Sequence, residues 1–129
     1  MSTSSKGAIA ERLAQKYLKS KGFQILDMNV HLGKYSELDI VAIKDSVVHV
    51  VEVKASFQAV TKREQITFPI FNITPNKVRK LCIGAQLYQR KNQLSDYDLT
   101  VDAIGIIVDQ NQSKSWVKFF PNILEGVIG

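Results

Sequence analysis

Between Val47 and Val51 the chain reads Val-Val-His-Val-Val, and Glu52-Val53-Lys54 closes the run. Strand side chains alternate between two faces. Here both faces are apolar apart from His49 and the charged end, the pattern of a central strand covered by other elements on both sides. The alternation also puts Glu52 and Lys54 on one side and Val51 and Val53 on the other, so a carboxylate and an ammonium are held as neighbours.

The flanking segments supply the cover. Residues 4–21 read as a helix, with Ser4 or Ser5 as N-cap, an apolar set of Ile9, Leu13, Tyr17 and Leu18, and Gly22 as its stop. Phe23 to Met28 reads as a strand, and His31-Leu32-Gly33-Lys34-Tyr35 as a loop. A strand follows from about Glu37 to Ile43, with Glu37, Asp39, Val41 and Ile43 on one face and Leu38, Ile40 and Ala42 on the other. If it pairs with Val47–Ala55 as a hairpin through Lys44-Asp45-Ser46, Asp39 comes near Glu52. Residues 56–73 show no regular pattern, and Pro69 breaks the apolar stretch Thr67 to Phe71, so a flap is one reading of them. Thr74-Pro75 opens a helix to about Lys91, with a buried stripe of Val78, Leu81, Cys82 and Ala85 and a neighbouring face of Lys77, Lys80, Gly84 and Lys91. Leu99–Val108 and Ser115–Phe120 read as strands around the turn Asp109-Gln110-Asn111-Gln112, and the tail from Pro121 as loosely packed. The order α-β-β-β-α-β-β predicts an α/β fold, a mixed central sheet of about five strands flanked by helices.

Length and charge limit the function. With 129 residues the chain makes one domain, 1–129, with a core over about 5–120 and a tail at 121–129. Seventeen Lys and Arg against twelve Asp and Glu give a net charge of +5, which suits a polyanionic partner. The single cysteine, Cys82, excludes disulfides and cysteine-ligated zinc. No apolar run is long enough for a signal peptide or membrane span, so a cytoplasmic protein without a membrane partner is expected.

The segments Gly7-Ala8-Ile9-Ala10-Glu11-Arg12-Leu13-Ala14, Gly22 to Leu26 with Asn29, Glu37-Leu38-Asp39-Ile40-Val41-Ala42, Val50-Val51-Glu52-Val53-Lys54, Lys77 with Lys80-Leu81 and Ala85, and Val101-Asp102-Ala103-Ile104 occur in that order. Together, over roughly residues 5–108, they resemble the PD-(D/E)xK nuclease superfamily, and within it the YraN-like group of small bacterial proteins, predicted endonucleases distantly related to archaeal Holliday junction resolvases. The resemblance implies a restriction-endonuclease-like core and a metal-dependent endonuclease acting on DNA, with branched or structured DNA among the candidates. It also implies that Glu11, Asp39, Glu52 and Lys54 are the catalytic set. The chain departs from the family at Ser36 and Ala10, where glycine is usual. It also lacks the arginines usual shortly after Lys54 and before Asp102.

Asp39 and Glu52 are two hard oxygen ligands beside a lysine. Mg²⁺ suits such a sparse carboxylate shell, with Mn²⁺ as a substitute, and the Val53 carbonyl is a candidate third protein ligand. Lys54 would orient a water or neutralise the scissile phosphate. Spacing permits Glu11 to face the sheet; only the resemblance gives it a role. Lys34, Lys77 and Lys80 are candidates for the nucleic-acid backbone, although a basic helix stripe is equally a solvated face. A Glu-x-Lys pair is also an ordinary surface ion pair worth about 0–1 kcal/mol. His31 and His49 read as structural or solvated, with no carboxylate at ligand spacing, and Asp102 as either a buried hydrogen-bonded acid or a support for the site. The alternative function is a nucleic-acid-binding accessory protein on the same fold with weak or absent catalysis. A homodimer would fit the cutting of two strands.

Overall fold

The computed structural model describes residues 3–34, 36–60, 62, 67–69, 73–111 and 113–124. Its elements are α1 (Thr3–Ser20), β1 (Gln24–Leu32), β2 (Ser36–Lys44), β3 (Val47–Gln58), α2 (Pro75–Lys91), β4 (Asp98–Asp109) and β5 (Lys114–Phe120). The five strands form one mixed sheet in the order β1-β2-β3-β4-β5. Only β3 and β4 run parallel, and α2 lies in the connection between them. The expected α/β architecture, a five-stranded mixed sheet flanked by two helices, is the one observed.

Local chemistry sets the element ends. Gly22 takes φ +91, and the amides of Gly22 and Phe23 return to the carbonyls of Lys19 and Leu18 at 3.1 and 3.0 Å. This is a Schellman closure of α1, and the left-handed position favours glycine. At α2 the Thr74 hydroxyl accepts the Lys77 amide at 3.1 Å and Pro75 stands at the first turn. Asp45 and Ser46 both have positive φ, 50 and 63, as the two-residue hairpin turn between β2 and β3 requires.

Each face of the sheet has its own core. On one, Ala10, Ala14 and Leu18 of α1 pack over Ile40, Ala42, Val51, Ile104 and Ile106. On the other, Leu81, Ala85 and Tyr88 of α2 pack over Leu38, Val41, Val48, Val50 and Val101. The central strands β3 and β4 are covered on both sides, as the Val47–Val51 run demands.

Several expectations need correction. Leu38 and Ile40 do not share a face: Leu38 joins Val41 and Ile43 under α2, while Ile40 and Ala42 lie under α1. The neighbouring strand switches with them, because Met28 opposes Ile40 on the α1 side and Val30 opposes Leu38 on the α2 side. Between these rungs Asn29 has φ +51, a left-handed kink that a short amide side chain tolerates. That kink disguised the alternation of β1, which continues through His31 and Leu32 where a loop was expected. β3 runs on to Gln58 because β4 pairs with it up to Gln58–Asp109, so residues 56–58 are strand. Of the remainder of the flap reading of 56–73, residues 61, 63–66 and 70–72 lie outside those described.

Gly84 was expected on the polar face of α2 but lies buried against β2. The segment after β5 is not loose through Leu124. Ile123 donates its amide to the Val101 carbonyl at 2.8 Å, and Ile123 and Leu124 pack against the α2-side core. His49 is structural, one of its two expected readings: its Nδ1 lies 2.7 Å from Asp102 Oδ2, across the β3–β4 pair. Asp102 is 1% exposed and also accepts from the Thr100 hydroxyl at 2.9 Å and the Asn122 amide at 2.8 Å. It is thus the buried hydrogen-bonded acid of the two readings. His31 lies 3.9 Å from Glu37 on the surface.

Candidate active site

The site arises where two paired strands separate. β2 and β3 pair from Lys44–Val47 up to Ile40–Val51, and the ladder ends at that rung, beside the face switch between Leu38 and Ile40. Val53 therefore has no β2 residue opposite it in the ladder. The Asp39 carboxylate fills the gap, accepting the Val53 amide with Oδ2 at 2.8 Å. A strand residue projects its carbonyl from the same edge as its amide, so the Val53 carbonyl is directed into the same fork.

Beside it, Glu52 is 4% exposed on the α2 side of β3. Its Oε1 lies 3.8 Å from Lys54 Nζ and 3.8 Å from Lys77 Nζ. Its Oε2 is buried and has no hydrogen-bond partner among the described residues. Burial, followed by the charge of Asp39, pushes the Glu52 carboxyl up to about 7 against the pull of the two lysines. Asp39 is raised as well, chiefly by burial, while the Val53 amide works in the opposite direction. Two carboxyls so placed resist being ionised together unless a further positive charge joins them.

An open cleft of about 340 Å³ meets the fork on the α1 side. Lys6, Gly7, Ala10 and Glu11 form its helical wall, and Asp39, Val53, Ala55 and Phe57 its sheet wall. Small residues at Gly7 and Ala10 leave the space. Asp39 borders this cleft and its charge also acts on Glu52, which lies on the α2 side and is not part of the cleft lining.

Of the sequence-derived residues, Asp39, Glu52 and Lys54 come together, and Glu11 lines the same cleft as Asp39. Lys77, a candidate with Lys80 for the nucleic-acid backbone, reaches Glu52 at 3.8 Å. Lys34 and Lys80 are exposed outside the cleft. Lys6 and Phe57 were missed. The signal for Lys6 was present, since it stands one turn before Ala10 on the stripe that continues to Ala14. Phe57 fell in the stretch read as irregular.

The donor set suits a hard cation. Two carboxylates and a strand carbonyl converge at the fork, and the partnerless Glu52 Oε2 is the kind of buried oxygen that a divalent ion would satisfy. Asp39, Glu52 and Val53 would hold it. Among the described residues no cluster of three or more His, Cys, Asp or Glu side chains occurs, so any such ion would rely on two carboxylates, backbone and solvent. Also among the described residues, no helix is long and apolar enough to cross a membrane.

Comparison with known proteins gives a consistent family. Residues 10–106 match the model of "Uncharacterised protein family UPF0102". A UPF0102 protein of Campylobacter fetus subsp. fetus is 38% identical over 117 residues, 91% of each chain. One from Helicobacter hepaticus is 42% identical over 95 residues, covering 70% of this chain and 76% of the relative. One from Tropheryma whipplei (strain Twist) is 36% identical over 102 residues, covering 78% and 79%. The matched span contains Glu11, Asp39, Glu52, Lys54 and Lys77 but not Lys6 of the cleft wall, and the chain belongs to the UPF0102 family.

Proposed function

We propose that this chain is a metal-dependent endonuclease that hydrolyses phosphodiester bonds in DNA. The observation that supports it most directly is the fork itself: the buried Glu52 and the half-buried Asp39, both pushed toward protonation, with two ammonium groups 3.8 Å from Glu52. As an isolated structural device this arrangement is costly, because buried charge is stabilising only when fully compensated. As a phosphodiester-cleaving site it has a use for every group.

Hydrolysis of the diester needs a water in line with the leaving oxygen and relief of negative charge on the phosphoryl oxygens. A bound Mg²⁺ or Mn²⁺ would supply Lewis acidity and a lowered water pKa. Lys54, on the same face as Glu52, contacts the scissile phosphate and offsets charge gathering on it, and Lys77 adds a second cation from the first turn of α2. Asp39, fixed by the Val53 amide, holds its carboxylate in one orientation. Glu11, on the cleft wall, hydrogen-bonds a water on the α1 side. The open cleft and the charge of +5 favour a nucleic acid over a small phosphorylated molecule.

The test is cleavage of labelled four-way junction, flap, duplex and single-stranded DNA by wild type, Asp39→Asn and Lys54→Ala, with Mg²⁺, Mn²⁺ or chelator. Wild type should cut only with metal, and each variant should lose at least about a hundredfold in rate. Absence of cutting on every substrate, with DNA binding intact in both variants, would replace the enzyme by a nucleic-acid-binding accessory protein.

A further inference from the structure

We propose that one face of β5 binds an unpaired nucleic-acid strand, with Lys118 holding a phosphate and Trp116 stacking on a base. The inference rests on the nucleic-acid reading above and deepens it, because it gives the strand a place beside the fork and selects unpaired over duplex substrate.

The face follows from the register of the sheet. Val117 and Phe119 pack into the α1-side core, as do Val51, Val53 and Ala55 of β3 and Ile104 and Ile106 of β4. By alternation Trp116, Lys118 and Phe120 lie on the other side of the sheet, the side of Glu52 and Lys54. Gly105 pairs with Lys54 on one flank and with Lys118 on the other, so the two lysines share a rung and the residue between them contributes no side chain. Phe120 shares the rung of Glu52 through Ala103, and Trp116 that of Ser56 through Ile107. Two strand spacings put Lys118 about 10 Å from Lys54 across the sheet. A strand with its scissile phosphate at Lys54 would thus bring a neighbouring phosphate to Lys118.

The side chains on this face differ in their surroundings. Lys118 is exposed, and its ammonium stands 5.1 Å from the centre of the Phe120 ring, which Phe68 meets edge-on at 6.3 Å between centroids. Phe120 is therefore a packed support that positions the lysine. Trp116 is half-buried, and among the described residues no other aromatic ring packs on it. A lysine on an edge strand guards that edge against pairing with another sheet. A tryptophan two positions away on the same face does not serve that end. Basic and aromatic side chains alternating along one face suit a single strand, whose backbone takes the cation and whose bases take the ring. A duplex keeps its base faces stacked inside the helix and offers such a surface only phosphates and sugars.

Trp116 is the only tryptophan in the chain, so its emission reports on this face in the unaltered protein. The experiment titrates wild type in chelator with a labelled thymidine decamer and with a duplex of the same length, reading tryptophan emission and DNA anisotropy together. Cleavage in Mn²⁺ is followed on the same preparations. The decamer should quench the emission in step with binding, and the duplex should leave it unchanged. Trp116→Leu should weaken the decamer about tenfold, and Trp116→Phe, which keeps a ring, should recover most of that loss. Lys118→Ala should remove about 0.7 of a unit from the slope of log affinity against log salt for the decamer. Unchanged emission at saturating decamer, equal quenching by the duplex, or no binding of the decamer would each overturn the surface without reference to any variant. Decamer affinity unaltered in both Trp116→Leu and Lys118→Ala would overturn it too. Cleavage with unchanged emission would strike the surface and leave the nuclease. Quenching without cleavage would do the reverse, and absence of both would remove both.

Discussion

At Glu52, burial and the charge of Asp39 both resist ionisation, and the two ammonium groups 3.8 Å away act against them. The net result lies near 7, against an ordinary value of 4.5. Between those limits the folded chain retains a proton that the unfolded chain has released. Stability therefore falls as pH rises through that window, by the linkage of protons to folding. In chelator the thermal midpoint should drop as pH goes from 4.5 to 7, and Glu52→Gln should flatten most of that slope. Added Mg²⁺ should recover stability most strongly above pH 7, where it no longer competes with the proton, so its apparent affinity by calorimetry should increase with pH across the same range. Asp102 presents the opposite situation, with its acceptors satisfied by His49, Thr100 and Asn122. Asp102→Ala strands those donors and should lower stability by about 2–4 kcal/mol in urea unfolding, without altering the fork.

Among the elements, α2 and β2 come close together at Gly84. A methyl group there would meet the Ser36 hydroxyl, with Ser36 Cβ at 2.7 Å and Leu38 Cδ2 at 3.2 Å. Gly84→Ala gains about 1 kcal/mol of helix propensity but forces the two elements apart, so a net loss of about 1–3 kcal/mol is expected. Combining it with Ser36→Gly should restore stability, and a double-mutant cycle in urea would read the coupling directly. The absence of a side chain at Gly84 is what leaves room for Ser36 in this contact. The same elements show what was legible in the sequence. Thr74-Pro75, Gly22 and the Val47–Val51 run act through local chemistry, so both helices, the hairpin and the covered central strand could be read. The face switch at Asn29, the burial of Gly84 and the turn of Lys77 toward Glu52 depend on what lies across the sheet, and no single segment records that.

Across the whole molecule the two cores lock the sheet from both sides, while the charge is distributed over the surface. With a net charge of +5 and lysines 6, 54 and 77 around the fork and cleft, DNA affinity should fall steeply between about 50 and 200 mM salt. A plot of log affinity against log salt should lose about one unit of slope for each of Lys6→Ala and Lys77→Ala if both meet phosphates. The acids of the site could be found in the sequence because their spacing on two strands brings them together at one hairpin. The cleft could not, because it is a gap between α1 and a strand end whose pairing partner lies about fifty residues away. The parting of β2 from β3 also leaves the site with its own spectroscopic label. The Val53 amide proton is shared with Asp39 and not with a neighbouring strand, so its NMR frequency follows the ionisation of that carboxylate and its occupancy by any cation. A single backbone resonance of the unaltered protein would thus report protonation, metal loading and substrate arrival.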